Sequence, residues 1–297
     1  MSEALNLIYG SIDEQNADKS AATRRQLVAG AGVALGGMGL LGIAQSADAA
    51  TAGSSKHSVD PQELLNVAAT AEVLATIVNT IGGNQPQSFF AGLPGDSSGA
   101  VTRRNVRAAA REELIHYTVL TDALGAKPVT TTIYVPNAYL QNATNLLTAL
   151  EIGDEIFVNA YLLAVTAYAN ATPKRIGGTL RGQFARIAAE FCGVEAVHRA
   201  AARQSLGKLG NDRVFLRYSQ PEDATPPIPS NPHQVGFQTP GAAVAQLQAA
   251  GFGFGKQGSL PGTAFDFNAV RNQTPTADAL RAENGAAVGG LSTLTPR

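Results

Sequence analysis

The sequence predicts an all-α protein: a four-helix bundle with a long crossover between its second and third helices, followed by an irregular C-terminal extension. Four stretches between residues 60 and 209 carry apolar residues at helical spacing. The second and fourth of these stretches each contain a Glu-x-x-His pair, although the chain has only four histidines. A proline-containing, extended segment separates the second stretch from the third. These observations together favour two helical hairpins joined by a long connection.

The first 50 residues are expected to form a signal peptide. Arg24 and Arg25 precede an apolar, glycine-rich run at 28–44, and small residues follow at 46–50. This order is typical of secretory signals, and the paired arginines resemble a twin-arginine (Tat) signal. The resemblance implies that the Tat machinery exports the folded protein to the periplasm or cell envelope. An uncleaved membrane anchor is the alternative interpretation.

Composition limits the classes of partner. The 297 residues carry a formal net charge of −1 and only 15% charged side chains, so no basic footprint for nucleic acid is present. No second stretch has the length of a membrane span, which predicts no integral span in the mature protein. Cys192 is the one cysteine, which excludes an intramolecular disulfide.

The first helix is predicted from Asp60 to about Ile81, after a polar linker at 51–59. Asp is a good N-cap residue, the following proline suits the first turn, and Gly82-Gly83 ends the helix. Glu72 lies beside the apolar stripe of this helix, so we expect it to face the interior. A boundary position that reaches solvent is the alternative.

The second helix, predicted from about Val101 to Leu124, carries Glu113 and His116 on its apolar face. Residues three apart share one face of a helix, so the carboxylate and the imidazole are directed to the same point. The segment Ala126–Ala143 then reads as an extended connection. Extended chain covers about 3.3 Å per residue against about 1.5 Å in a helix, so this segment can cross the full length of the bundle.

The third helix is predicted from about Asn145 to Ala169, and Asp154 is the one acid on its apolar seam. Glu151, one turn earlier, and Glu155, next in the chain, remain alternatives as the inward acid. The fourth helix, from about Leu180 to Leu206, repeats the paired motif.

That second motif consists of Glu195 and His198. Its glutamate lies 41 residues after Asp154, and Glu113 lies 41 residues after Glu72 (195 − 154 and 113 − 72). The equal spans of the two hairpins give mild support to Asp154 over its neighbours.

Acids from all four helices and two histidines are therefore expected to form a metal site of the di-metal carboxylate kind. Four buried carboxylates repel one another and lose hydration, and two divalent cations would balance their charge. Oxygen and imidazole ligands suit Fe and Mn. The alternative is a metal-free network of Glu–His hydrogen bonds. The candidate ligands are Glu72, Glu113, His116, Asp154, Glu195 and His198.

Four stretches, AEVLATIV, AREELIHYTVL, DEIFVNAYLLAV and EFCGVEAVHRAA, resemble the ferritin-like superfamily. Within it they are similar to the ferritin-like domain family, which includes desiccation-related and many exported bacterial proteins. The resemblance covers about Asp60–Leu209 and departs at Asp154, where Glu is usual and one methylene longer. The resemblance implies that Glu72 and Asp154 are terminal ligands and that Glu113 and Glu195 bridge the two metals. It further implies that His116 binds one metal and His198 the other.

The expected function is that of an exported protein with a di-iron or di-manganese site, oxidising Fe(II) or consuming peroxide. The alternative is a non-enzymatic envelope protein for stress or desiccation protection, with a structural or vestigial metal site. Tyr117 and Tyr161 fall near the candidate ligands as redox neighbours, with core packing as the alternative role. Metal identity is left open, and so is assembly into a homo-oligomer.

Residues 210–297 are expected to form a Pro/Gly-rich extension with one short helix at Ala242–Ala250. Such a segment can wrap the bundle, and disorder beyond Asn268 is an alternative. Its GFGFG stretch lacks the context and the Lys-Ser or Lys-Thr of a phosphate loop. His57 and His233 have no assigned role.

Overall fold

A computed structural model describes residues 59–172, 176, 180–211, 237 and 239–284 of the chain. Within these residues the protein is mostly helical, with one small sheet of three strands. The predicted signal peptide, nearly all of the linker, His57 and His233 lie outside the described residues. Statements about them remain predictions.

Four long helices form the body of the protein. α1 packs along α2 and α3 packs along α4, while smaller contacts join α1 to α3 and α2 to α4. The predicted helix positions are confirmed to within a few residues, except that α2 passes into a π-helical turn at Val119–Ala123. The helices are α1 (Pro61–Gly83), α2 (Ala100–Thr118), α3 (Ala143–Ala169) and α4 (Leu180–Ser205).

The start of α1 follows the sequence signal, whereas its end does not. The Asp60 carboxylate accepts a hydrogen bond from the Gln62 amide at 3.4 Å. At the other end, a Cβ on Gly82 would lie 2.6 Å from a methyl carbon of Leu146 on α3. Gly82 therefore lets the start of α3 come close, but it does not end α1 as predicted, because the helix continues through Gly83 and is capped by Asn84.

The connection between α2 and α3 runs the length of α1. Its beginning is fixed near the start of α1, where the Gln62 side chain donates to the Gly125 carbonyl at 3.3 Å. Its end lies near Gly82, because the start of α3 packs there. On the way, the Val129 amide donates to the Thr70 hydroxyl of α1 at 2.8 Å. The connection therefore follows α1 from near its start to near its end.

A strand in this crossover forms the centre of the sheet. β1 (Thr132–Pro136) pairs antiparallel with β2 (Gly253–Phe254) on one side and β3 (Gly262–Asp266) on the other. The prediction of an all-α protein missed this sheet. Its partner strands lie more than a hundred residues further along the chain, and no local pattern reports such a pairing.

The described part of the C-terminal extension already contains three helices, so the prediction of a single short helix was wrong. α5 (Pro240–Ala249) lies over α3 and α1, α6 (Phe267–Arg271) packs on α1, and α7 (Ala277–Asn284) packs on α2. Residues 268–284 are folded rather than disordered. This part of the extension therefore belongs to the helical body.

Two polar contacts attach the end of the extension to the long helices. A buried hydrogen bond of 2.9 Å joins the hydroxyls of Thr80 on α1 and Thr274. An ion pair of 2.8 Å joins Arg107 on α2 to Glu283 on α7.

Among the described residues one helix, α1, is long and apolar enough to span a membrane. Its most apolar window is 78% buried within the protein, which is the pattern of a core helix. The absence of a membrane span from the mature protein therefore stays a prediction.

We predict that Gly99→Ala lowers the free energy of unfolding by about 3 kcal/mol, because strain and overlap add. Gly99 has φ +67°, and a Cβ there would lie 2.5 Å from the carbonyl carbon of Phe90. Gly125→Ala is the control, since its φ is +75° but nothing lies within 4 Å of the added Cβ. Urea unfolding of both variants measures the difference, and equal losses would contradict the steric argument.

Candidate metal centre

The structure brings together all six residues that the sequence predicted as ligands. They form two groups of four, and within each group the candidate ligand atoms lie within 4.8 Å of one another. Both groups share Glu113 and Glu195, one from α2 and one from α4. The groups are Glu72, Glu113, His116 and Glu195, and Glu113, Asp154, Glu195 and His198.

Each shared carboxylate presents one oxygen to each histidine. Glu113 Oε2 lies 3.3 Å from His116 Nδ1, and Glu113 Oε1 lies 3.0 Å from His198 Nδ1. Glu195 Oε1 lies 3.3 Å from His116 Nδ1, and Glu195 Oε2 lies 3.6 Å from His198 Nδ1. The i, i+3 spacing on the two helices produces this two-fold pattern, because each pair shares one helix face.

These polar atoms are buried, and most of them lack a hydrogen bond. Glu72, Glu113 and Glu195 have no exposed surface. Both oxygens of the two shared carboxylates and Nδ1 of His116 and His198 have no hydrogen-bond partner in the described part of the chain. An unsatisfied buried polar atom costs about 1–3 kcal/mol, and a charged one costs more. The residues therefore fit a bound cation, which would satisfy several of these atoms together.

Burial and mutual charge shift the acid–base equilibria of the cluster. Burial raises the pKa of Glu72 to about 7. Burial, together with the charge of Glu195, raises the pKa of Asp154 well above its usual range.

Burial alone would lower the pKa of both histidines, but the facing carboxylates outweigh it. The pKa of His116 is raised well above its ordinary value, chiefly by Glu72, and that of His198 is raised chiefly by Glu113. Without a metal ion, protons are therefore the cations that hold this cluster together.

Asp154 is the inward acid of α3. Glu151 instead pairs with Arg203, and Glu155 pairs with Arg199 at 3.2 Å. Glu151 and Glu155, the two alternative inward acids, therefore form ion pairs with arginines of α4. Although aspartate is one methylene shorter than glutamate, Asp154 reaches the ligand atoms of its group.

Of the two candidate tyrosines, Tyr161 contacts the cluster and donates a hydrogen bond to Glu72 Oε1. Tyr117 packs on Phe267, with ring centroids 4.4 Å apart, and Arg271 lies over its ring. The packing interpretation therefore suits Tyr117.

The sequence analysis missed two side chains that hold the histidines in place. Glu112 Oε2 lies 2.6 Å from His198 Nε2, the nitrogen that faces away from the cluster. Phe191 stacks on His116 with ring centroids 3.9 Å apart. Glu112 directly precedes a ligand, and its position about 100° around α2 turns it towards α4. A carboxylate behind a metal-binding histidine fixes the orientation and tautomer of the ring.

Two cavities flank the cluster. A cavity of about 230 Å³ lies between α2, α3 and α4, and its lining includes Glu112, Asp154 and His198. A smaller cavity of about 40 Å³ lies beyond Tyr161, under α5, and its lining is almost wholly apolar. The two sides of the cluster therefore differ in polarity.

Fold and site define a mostly helical protein with a buried carboxylate–histidine cluster that could hold a metal ion. Comparison with protein-family models, curated proteins and solved structures gives no match. Membership of the ferritin-like family is therefore a proposal.

We predict that the metal-free protein becomes less stable as the pH rises from about 5 to about 8. Folded Glu72 keeps its proton up to about pH 7, whereas in the unfolded chain it loses the proton near 4.5. The folded state then binds more protons, so stability falls through this window, by on the order of 3 kcal/mol for Glu72 alone. The pKa values of His116 and His198 are also raised above the ordinary 6.5, so the loss of their protons lowers the stability further at higher pH.

Urea unfolding in the presence of a chelator, at a series of pH values, measures this slope. Glu72→Gln is the control, because a neutral amide removes the part of the slope between about pH 5 and 7. A free energy of unfolding that rises with pH over this range would show that the assigned proton uptake is wrong.

Proposed function

We propose that this protein is a ferritin-like four-helix bundle protein that binds two iron or manganese ions and uses them for redox chemistry on Fe(II) or peroxide. The observation that carries the proposal is the pair of ligand groups that share Glu113 and Glu195. Each shared carboxylate offers its two oxygens to two different histidines. That arrangement suits carboxylates that bridge two metal ions.

Charge supports a count of two. The cluster holds four carboxylates, from Glu72, Glu113, Asp154 and Glu195, and two divalent ions supply four positive charges. A single divalent ion would balance only two of the four carboxylates, and protons would have to neutralise the other two. Each ion would have its own histidine and its own terminal carboxylate.

The ligand chemistry supports iron or manganese. Carboxylate and imidazole ligands suit these ions, whereas soft thiolate ligands, which select other metals, are absent from both groups. When bound, such a pair of ions supplies two electrons to dioxygen or peroxide. The protein orients the ligands through Tyr161, Phe191 and Glu112, and it encloses Glu72 and His116 away from bulk water.

The arrangement of the helices supports the proposed family. α1 with α2 and α3 with α4 form two hairpins, and the connection between them runs along α1. A single long crossover of this kind is the connectivity of ferritin-like bundles.

Metal analysis of the purified mature protein tests the site. We expect near two Fe or Mn per chain after chelation and reloading, and fewer than about one in Glu113→Gln, since the amide cannot bridge two cations. Glu155→Gln is the matched control, because Glu155 pairs with Arg199 and should leave the metal content unchanged. Circular dichroism checks that each variant is folded. A stable protein that takes up no metal would refute the site.

Turnover separates the two functional interpretations. The loaded protein is assayed for Fe(II) oxidation and for peroxide consumption, with Glu113→Gln as the inactive reference. Two bound ions without either activity would assign the alternative function, a non-enzymatic envelope or stress-protection protein with a structural metal site.

Export to the periplasm or cell envelope by the Tat machinery is part of the proposal. It is supported by Arg24, Arg25 and the apolar run that follows them. A fusion of residues 1–50 to a reporter should be exported, and replacement of both arginines by lysine should abolish export. Unchanged export of the lysine variant would refute dependence on the Tat route.

A further inference from the structure

The cavity between α2, α3 and α4 connects the cluster with the protein surface. At its outer end lie Val197, which is 65% exposed, and Glu112, whose side chain is 51% exposed. At its inner end lie Asp154, 4% exposed, and His198, whose side chain is 9% exposed. The same open space therefore touches both solvent and two of the ligands.

Although most of the lining of this cavity is apolar, its polar groups suit a cation. It contains two carboxylates, Glu112 and Asp154, together with neutral polar groups such as Asn79 and Asn105, and no lysine or arginine is among its described residues. Nδ1 of His198 has no hydrogen-bond partner in the described part of the chain. An exposed carboxylate at the mouth of a cleft, here Glu112, attracts counter-ions and speeds their association.

On the opposite side of the cluster, the described residues form a more apolar and more closed cover. Glu72 and His116 are covered by Tyr161 and Phe191. The cavity behind Tyr161 exposes almost exclusively apolar surface. Crossing it would strip a divalent ion of its water with no polar group in return, which is strongly unfavourable.

We propose that divalent cations enter the centre through the cavity between α2, α3 and α4, and that the position formed by Glu113, Asp154, Glu195 and His198 exchanges its ion with solvent through it. This inference rests on the proposed two-metal function. The position formed with Glu72 and His116 lies deeper, so its ion passes the outer position and exchanges slowly.

Glu112 serves this route in two ways. Its exposed carboxylate adds negative charge at the mouth, and the same carboxylate holds His198 through Nε2. It is a positioning residue rather than a ligand, because its oxygen contacts the nitrogen that faces away from the cluster.

Uptake kinetics test the route. The full mature chain is stripped with chelator and mixed with Mn²⁺, and a fluorescent chelator reports the free ion. Ala201 lines the cavity and its neighbour Ala200 does not, so Ala201→Phe narrows the passage while Ala200→Phe adds the same volume elsewhere on α4. We expect uptake to slow by about tenfold or more in Ala201→Phe, with an unchanged final Mn²⁺ content, and to stay unchanged in Ala200→Phe.

A charge variant gives an independent measurement that does not depend on filling the cavity. Glu112→Gln should slow uptake at low salt and flatten its dependence on ionic strength, because attraction at the mouth is screened by salt. Glu190→Gln, an exposed acid of the same sign on α4 outside the lining, should behave like the unmodified protein.

Asp154→Asn tests which position exchanges. It should retain one Mn²⁺ per chain, and that ion should exchange more slowly than the faster of the two ions in the unmodified protein. Equal uptake rates in Ala201→Phe and Ala200→Phe, with unaltered salt dependence in Glu112→Gln, would overturn the route and leave the two-metal site intact. No uptake by the unmodified protein would instead remove the proposed function, and this inference with it.

Discussion

The repulsion among four buried carboxylates is the constraint on which the centre of this protein depends. Glu72, Glu113, Asp154 and Glu195 come from four different helices and lose nearly all contact with water. Helices that carry such charges pack together only if protons or cations neutralise them. The raised pKa values of Glu72 and Asp154 show that, without metal, the buried charged forms of these acids are unfavourable. A buried cluster of this kind is maintained at the expense of stability, which argues for a role in binding.

Two arginines of α4 form ion pairs with acids next to this cluster. Glu151 and Glu155 lie on either side of Asp154 along α3, yet they are neutralised by Arg203 and Arg199 of α4. These arginines pair with the acids of α3 that face away from the centre, while the charge of Arg199 only partly offsets the rise that burial causes in the pKa of Asp154. α3 therefore carries both a candidate ligand, Asp154, and two acids in ion pairs. Glu155 is next to Asp154 in the chain, and Glu151 lies one helical turn before it.

The extension after the long helices determines which sides of the centre are closed. α5 and the sheet cover the face of α1 and α3, where the lining behind Tyr161 is apolar. α6 and α7 fasten to α1 and α2 through the Thr80–Thr274 and Arg107–Glu283 contacts. The gap between α2 and α4 keeps a cavity whose lining includes Glu112 and Asp154. The two ligand groups of the cluster have a similar arrangement but different surroundings. The group with Glu72 and His116 is covered, whereas the group with Asp154 and His198 borders an open cavity.

The sequence alone determined the four long helices, the crossover and the six converging residues, because helical periodicity and i, i+3 spacing are local properties. It left Asp154, Glu151 and Glu155 as alternatives, since neighbouring positions on one helix differ only in direction. Tertiary structure made that choice by placing arginines of α4 against two of the three. It also supplied the sheet, the contact between Glu112 and His198, and the cavity, because each joins residues far apart in the chain. A pattern within one segment carries no information about such partners, which only the packed helices bring together.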